Sequence, residues 1–183
     1  MVFTTRGNIA LLSQDKVALF ASRKTPPLME SAIFEIFDTI RALPIGLSGG
    51  WQSPVEKRLF KRMDSGQAAN VLYYFARDLN TIRLSPLQEQ LLAHDKLLMI
   101  APETQSVRAN KKSVLRRDQL LLAQNKKVCF LHINPGGRLE TYFNRLLREG
   151  YFVYLLEHPF NESFYGPDVS LLNPDNVKEL LTV

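Results

Sequence analysis

Short apolar runs alternate along this chain with longer stretches of helical periodicity, and very few folds accommodate that alternation. Six runs stand out: Lys16-Val-Ala-Leu-Phe-Ala-Ser22, Pro44-Ile-Gly-Leu-Ser-Gly-Gly50, Asn70-Val-Leu-Tyr-Tyr-Phe-Ala76, Lys96-Leu-Leu-Met-Ile-Ala-Pro102, Lys127-Val-Cys-Phe-Leu-His-Ile133 and Tyr151-Phe-Val-Tyr-Leu-Leu156. Their compactness and apolar character predict buried strands. Between them, residues 28–43 place Ile33, Phe34, Phe37 and Ile40 at helical spacing. Residues 110–124 gather Val114, Leu115, Leu121 and Leu122 on one apolar face. Ser53-Pro54 and Ser85-Pro86 each open a further helix, to Met63 and to about His94, because serine can cap and proline loses no bond in a first turn. A helix over 138–149 ends at Gly150, a left-handed stop, and a short helix over 174–181 closes the chain.

Strands separated by helices imply βαβ crossovers, hence a mostly parallel sheet of about six or more strands with helices on both faces. The expectation is an α/β, Rossmann-like, three-layer domain, and 183 residues without repeat or linker fit a single domain over 1–183. No run approaches the roughly 18 apolar residues of a membrane span. The first residues carry no secretory signal pattern. The one cysteine, Cys129, lies inside an apolar run and can form no internal disulfide, so a reducing cytoplasm is the simplest compartment to expect.

In such a sheet, ligands bind outside the carboxyl ends of the strands. That rule points at the loops over 21–24, 48–50, 102–103 and 134–137. Ser22, Arg23 and Lys24 offer a hydroxyl and two cations to a phosphate, or form a solvated basic turn. Ser48, Gly49 and Gly50 let the backbone approach a phosphate at a helix N-terminus, although a plain tight turn needs the same glycines. Trp51 beside them reads equally as a stacking surface or a core residue. Gly136 and Gly137 form a second glycine turn, with Arg138 opposing the dipole of the following helix. A bound anion would relieve that conflict, as would Glu140. Arg108, Lys111, Lys112, Arg116 and Arg117 put five cations within ten residues, either an electrostatic footprint for a phosphate backbone or a solvated face. The net charge of +5 agrees with a phosphate-bearing partner without requiring one.

Tyr73, Tyr74 and Phe75 follow strand alternation and read as core. His94, His132 and His158 show no metal-ligand spacing, and neither a Walker loop, a G-x-S-x-G elbow nor a G-x-G-x-x-G fingerprint is present. No catalytic residue, cofactor or metal is expected from these residues. Asp78, Glu103 and Glu140 lie near loops without a readable partner.

The motifs in order resemble the Rossmann-like domain of the DprA/Smf DNA-processing family over roughly residues 7–180. Gly7-Asn-Ile-Ala-Leu-Leu12 followed by Val17-Ala-Leu-Phe-Ala-Ser-Arg-Lys24 is similar to G-N-x-x-L-L and V-A-I-V-G-S-R. Ser48-Gly49 stands where that family has S-G-x-A-x-G-I-D, and Asn70 to Ala76 corresponds to its third strand. Arg116-Arg-Asp-Gln-Leu-Leu-Leu122 falls near R-N-R-x-I-x-x-L, and Gly166-Pro-Asp-Val-Ser-Leu-Leu172 resembles the closing G-x-N-x-L-I. Departures are Gln52-Ser-Pro-Val55 in place of the glycine-isoleucine-aspartate end, and Asp118 within R-N-R. The resemblance implies a single-stranded DNA-binding homodimer that serves a RecA-type recombinase, with Arg23, Ser48, Gly49 and Arg116 lining the pocket. A nucleotide-binding sensor and a LOG-type nucleoside-monophosphate phosphoribohydrolase are the alternatives within the same superfamily. Pro135-Gly-Gly137 opens the P-G-G-x-G-T-x-x-E motif of the latter, but Leu139, Glu140 and Phe143 occupy its second glycine, threonine and glutamate positions.

Overall fold

A computed structural model of the chain describes residues 2–64, 69–104 and 106–182. Residues 1, 65–68, 105 and 183, which the expected domain over 1–183 includes, lie outside the described residues. Eight strands form one sheet: β1 (Phe3–Gly7), β2 (Lys16–Ala21), β3 (Gly46–Gly49), β4 (Val71–Tyr74), β5 (Leu97–Pro102), β6 (Lys127–His132), β7 (Phe152–Leu156) and β8 (Ser170–Leu172). Their order across the sheet is β1-β5-β4-β3-β2-β6-β7-β8. All neighbours pair in parallel except β1, which runs antiparallel to β5 with Thr5 opposite Ile100. The fold is thus α/β with a mostly parallel sheet, as the alternation predicts.

Among the described residues five α-helices cover the sheet: α1 (Glu30–Ile40), α2 (Pro54–Lys61), α3 (Pro86–Ala93), α4 (Lys111–Ala123) and α5 (Arg138–Arg148). Successive strand residues serve opposite cores, because side chains alternate across the pleat. Val17, Leu19, Cys129 and Leu131 join Ile33, Phe37 and Leu59 beneath α1 and α2, with Leu91 of α3 on that side. Ala18, Phe20, Val128 and Phe130 join Leu121, Tyr142 and Leu146 beneath α4 and α5. Both faces being buried, the strands read as continuous apolar runs.

Local signals set the helix starts. Ser53 and Ser85 cap α2 and α3 in full capping boxes with Glu56 and Gln88, each with proline in the first turn. Gly150 takes φ +70° just past α5, as a left-handed stop requires. Two sequence expectations shift. Leu115 does not join the apolar face of α4: it is exposed, and Leu120 packs in the core beside Leu121 and Leu122. The segment expected as a closing helix is instead a 3-10 turn over Val177–Leu181. The edge strands β1 and β8 lie outside the six runs. β1 is mostly polar and exposed, and β8 has only three residues, so neither carries a buried-strand signal. Among the described residues no helix is long and apolar enough to cross a membrane.

Candidate functional site

β2 and β6 lie side by side, yet the chain leaves them in opposite directions, through β3, β4 and β5 on one side and through β7 and β8 on the other. This reversal opens a crevice at the carboxyl ends of the two strands, the position where doubly wound sheets bind ligands. The crevice is a cleft of about 910 Å³, near the upper end of volumes that hold small molecules. Two bonds close its base: Ser22 donates its N–H to the His132 carbonyl at 3.0 Å, and Asn134 donates its N–H to Ser22 Oγ at 2.8 Å.

Carboxylates of the chain take up backbone donors beside both glycine turns. Glu56, buried in the first turn of α2, accepts the N–H groups of Ala21 at 2.9 Å, Gln52 at 2.8 Å and Ser53 at 3.0 Å. One glutamate therefore ties the end of β2 to the start of α2, with its charge at that helix's N-terminus. Trp51 adopts φ +50° to make this turn. Its ring packs against Phe37 and Phe60 and is fully buried, which makes it a core residue and compensates a backbone conformation unusual for a bulky side chain. At the second turn Gly136, with φ +73°, donates its N–H to Glu140 Oε2 at 2.5 Å.

Gly50 serves a different purpose. A Cβ there would stand 2.1 Å from a terminal nitrogen of Arg117, so the missing side chain makes room for a guanidinium. Arg117 reaches over from α4 and is 4% exposed. Its Nε donates to Asp118 Oδ1 at 2.6 Å and its Nη1 donates to the Tyr74 carbonyl at 3.3 Å. Asp118, buried in turn, also accepts from the Tyr142 hydroxyl at 3.1 Å and lies 3.4 Å from Arg138. Burial first, and the Asp118 charge second, push the Tyr142 hydroxyl up to about 12, so it stays a neutral donor near neutral pH. This network fixes α4 to α5 along the cleft wall.

The lining is strongly positive. Arg23, Lys24, Arg77, Arg83, Arg108, Lys111, Arg117 and Arg138 face only Glu56 and Asp118. That excess of six positive charges outweighs the chain's whole net charge of +5, so the remainder of the molecule is close to neutral. Arg23, Lys24, Arg77, Arg83, Arg108 and Lys111 make no ion pair with the described residues. Within this rim lies an apolar floor where Tyr73 and Phe75 stack with centroids 4.2 Å apart. Burial pushes the Tyr73 hydroxyl up to about 12, and Gln52 donates to it at 3.3 Å. The whole is suited to hold an anion, or a phosphate attached to a planar group. Both carboxylates of the lining are hydrogen-bonded within the protein, and among the described residues no cluster of His, Cys, Asp or Glu could hold a metal ion.

Of the residues singled out in the sequence, Ser22, Arg23, Lys24, Gly50, Arg108, Lys111, Arg117, Gly137 and Arg138 line the cleft. Ser48 is buried within β3, and Gly49 packs against the Trp51 ring, 2.9 Å from where its Cβ would stand. Lys112 and Arg116 are exposed on α4 outside the lining, so it is Arg117 of the Arg116-Arg117 pair that enters the cleft. Gly136 is exposed beside it. Sequence reading missed Gln52, Glu56, Arg77, Arg83 and Gln88. The Ser53-x-x-Glu56 capping pattern marked the glutamate, and the strand-end rule extended to the loop after β4 would have marked Arg77 and Arg83. Phe143 stands where the phosphoribohydrolase motif has its glutamate, and it is core, packed edge-on against Phe130 and Phe164.

No family model matches the chain. No curated protein matches it either. Among solved structures, DNA processing protein A from Streptococcus pneumoniae superposes with a TM-score of 0.78 at 11% identity, over 97% of this chain and 65% of that one. This chain thus spans about two thirds of that protein's length. DNA processing protein A from Helicobacter pylori, described for its single-stranded DNA binding mode, gives 0.76 at 16% identity over 98% and 86%. The molybdenum cofactor carrier protein of Chlamydomonas reinhardtii gives 0.60 at 15% identity over 92% and 99%. The chain therefore has the Rossmann-like fold of the DNA processing A domain.

Proposed function

We propose that this protein binds single-stranded DNA along the cleft, without chemistry, by contacts from Arg23, Lys24, Arg77, Arg83, Arg108 and Lys111 to successive phosphates. The observation that carries the reading is the set of cleft cations that make no ion pair with the described residues, since like charges gathered on one face repel until an external anion neutralises them. The reported strand binding of the Helicobacter pylori neighbour supports it. Arg117 and Arg138 form the rigid wall against which the strand lies. Assembly as a homodimer, a reducing cytoplasm as its compartment and hand-over of the strand to a RecA-type recombinase complete this reading.

A second reading is supported by the cofactor carrier, which this chain covers almost end to end, and by the stacked floor of Tyr73 and Phe75. There the cleft holds one phosphate-bearing heterocycle such as a nucleotide. Fluorescence titration with labelled oligo-dT at about 50 and about 200 mM salt tests the first reading, because counterion release makes phosphate binding steeply salt-dependent. Absence of binding at the lower salt rules it out. Competition by AMP alone, with the strand not retained, selects the second, and release of free adenine from AMP would add hydrolysis to it.

A further inference from the structure

The strand-end face carries one more feature that the cleft does not absorb. Beyond β7 the chain makes a 3-10 turn over Pro159–Phe164, and Phe160 at its start is 44% exposed. A single exposed phenylalanine needs no explanation; this one rests on a turn that several bonds hold in place. Its ring stacks on His158 with centroids 5.4 Å apart and planes 19° from parallel. Its N–H donates to His158 Nδ1 at 3.2 Å, which fixes that imidazole's orientation. The Tyr165 hydroxyl accepts the His158 N–H at 2.8 Å and donates to the His158 carbonyl at 3.2 Å, clamping the same residue. Asn161, fully buried, donates to the carbonyls of Leu131 and Leu156 and accepts from the Ile133 N–H. The turn is thus pinned to the ends of β6 and β7. Ile133 immediately precedes Asn134, a residue of the cleft lining bonded to Ser22.

We infer that the Phe160 ring, backed by His158, is a stacking step for an unpaired nucleobase of the strand whose phosphates occupy the cleft. This inference rests on the strand-binding reading above. Proteins that hold single strands without sequence preference combine a basic groove with aromatic faces, because every base offers a π-surface. A ring already ordered in the free protein loses little freedom on stacking, and Asn161 pins its turn to the end of β6, where the chain passes into Asn134 of the groove lining. The cleft's own aromatic pair, Tyr73 and Phe75, is less than a tenth exposed, so Phe160 offers the larger free ring.

The test compares oligo-dT with an abasic strand of equal length and phosphate count, on the wild type, Phe160→Ala and Phe160→Trp. The wild type should bind oligo-dT about tenfold tighter than the abasic strand. Phe160→Ala should erase that preference while leaving abasic binding and thermal stability unchanged, and Phe160→Trp should restore it. Equal loss for both strands, or an unchanged preference in Phe160→Ala, overturns the stacking role while the cleft reading stands. A wild type that binds neither strand at low salt overturns both together.

Discussion

Arginine has two distinct roles on the two sides of this molecule. On the outer face of α1 and α2, Arg58 pairs with Glu30, and Arg41 and Arg62 converge on Asp38. Phe34 lies beneath Arg58 and Arg62, whose guanidinium carbons stand 5.7 and 5.1 Å from its centroid. The hydrogen bonds from Arg62, with Arg41 contributing, hold the Asp38 carboxyl below its ordinary value. At the strand ends six cations make no ion pair with the described residues, and the two acids in the lining are committed to backbone amides and to Arg117. On the first face each of these arginines is paired within the fold. The second is balanced only when something anionic arrives, and that difference separates an arginine kept for structure from one kept for binding.

Arg117 belongs to the structural class despite lining the cleft, and removing it gives the largest expected effect. Arg117→Ala leaves Asp118 buried with weaker partners and should lower unfolding stability by about 3–5 kcal/mol in denaturant titration. Gly50→Ala forces the same guanidinium aside and should cost about 1–3 kcal/mol. A stable Arg117→Ala variant would move this residue to the binding class.

Next in size comes the unpartnered set. Replacing Arg23, Arg83 and Arg108 together with alanine should flatten the dependence of log affinity on log salt by about 2, at roughly 0.7 per lost phosphate contact on a single strand. Its melting temperature should hold or rise, since mutual repulsion falls. A drop in stability would show that these cations have partners in the fold.

The smallest effect concerns the paired face. Asp38→Asn should cost at most about 1 kcal/mol, as expected of a partly exposed pair, with no change in strand affinity. Because the native carboxyl is depressed, the stability it adds is fully present above its ordinary value of 3.8 and is lost as pH falls through the lower native value. The difference in melting temperature between wild type and Asp38→Asn should therefore shrink in acid; a constant gap would mean that the ion pair is not its source.

This division was only partly legible in the sequence. The sheet was, because strands buried on both faces leave unbroken apolar runs, and the Ser53 and Ser85 caps announce themselves by spacing. The loops after β2 and β6 were legible as strand ends, but not that those strands are neighbours at the topological reversal, which depends on pairing across distant segments. Within the cation run of 108–117, buried Arg117 and exposed Arg116 look alike until a helix face is assigned. The amphipathic pattern gives little help, since Arg117 and Asp118 point inward. Gly50 reads as a phosphate loop, whereas its small size accommodates a guanidinium from another element.

The salt dependence of oligo-dT binding, measured side by side for the wild type, the Arg23/Arg83/Arg108 triple variant and Asp38→Asn, tests the central claim most directly. The slope should be steep and negative for the wild type and for Asp38→Asn, and shallower by about 2 for the triple variant. A triple variant with the wild-type slope, or no binding of the strand at low salt, would contradict it.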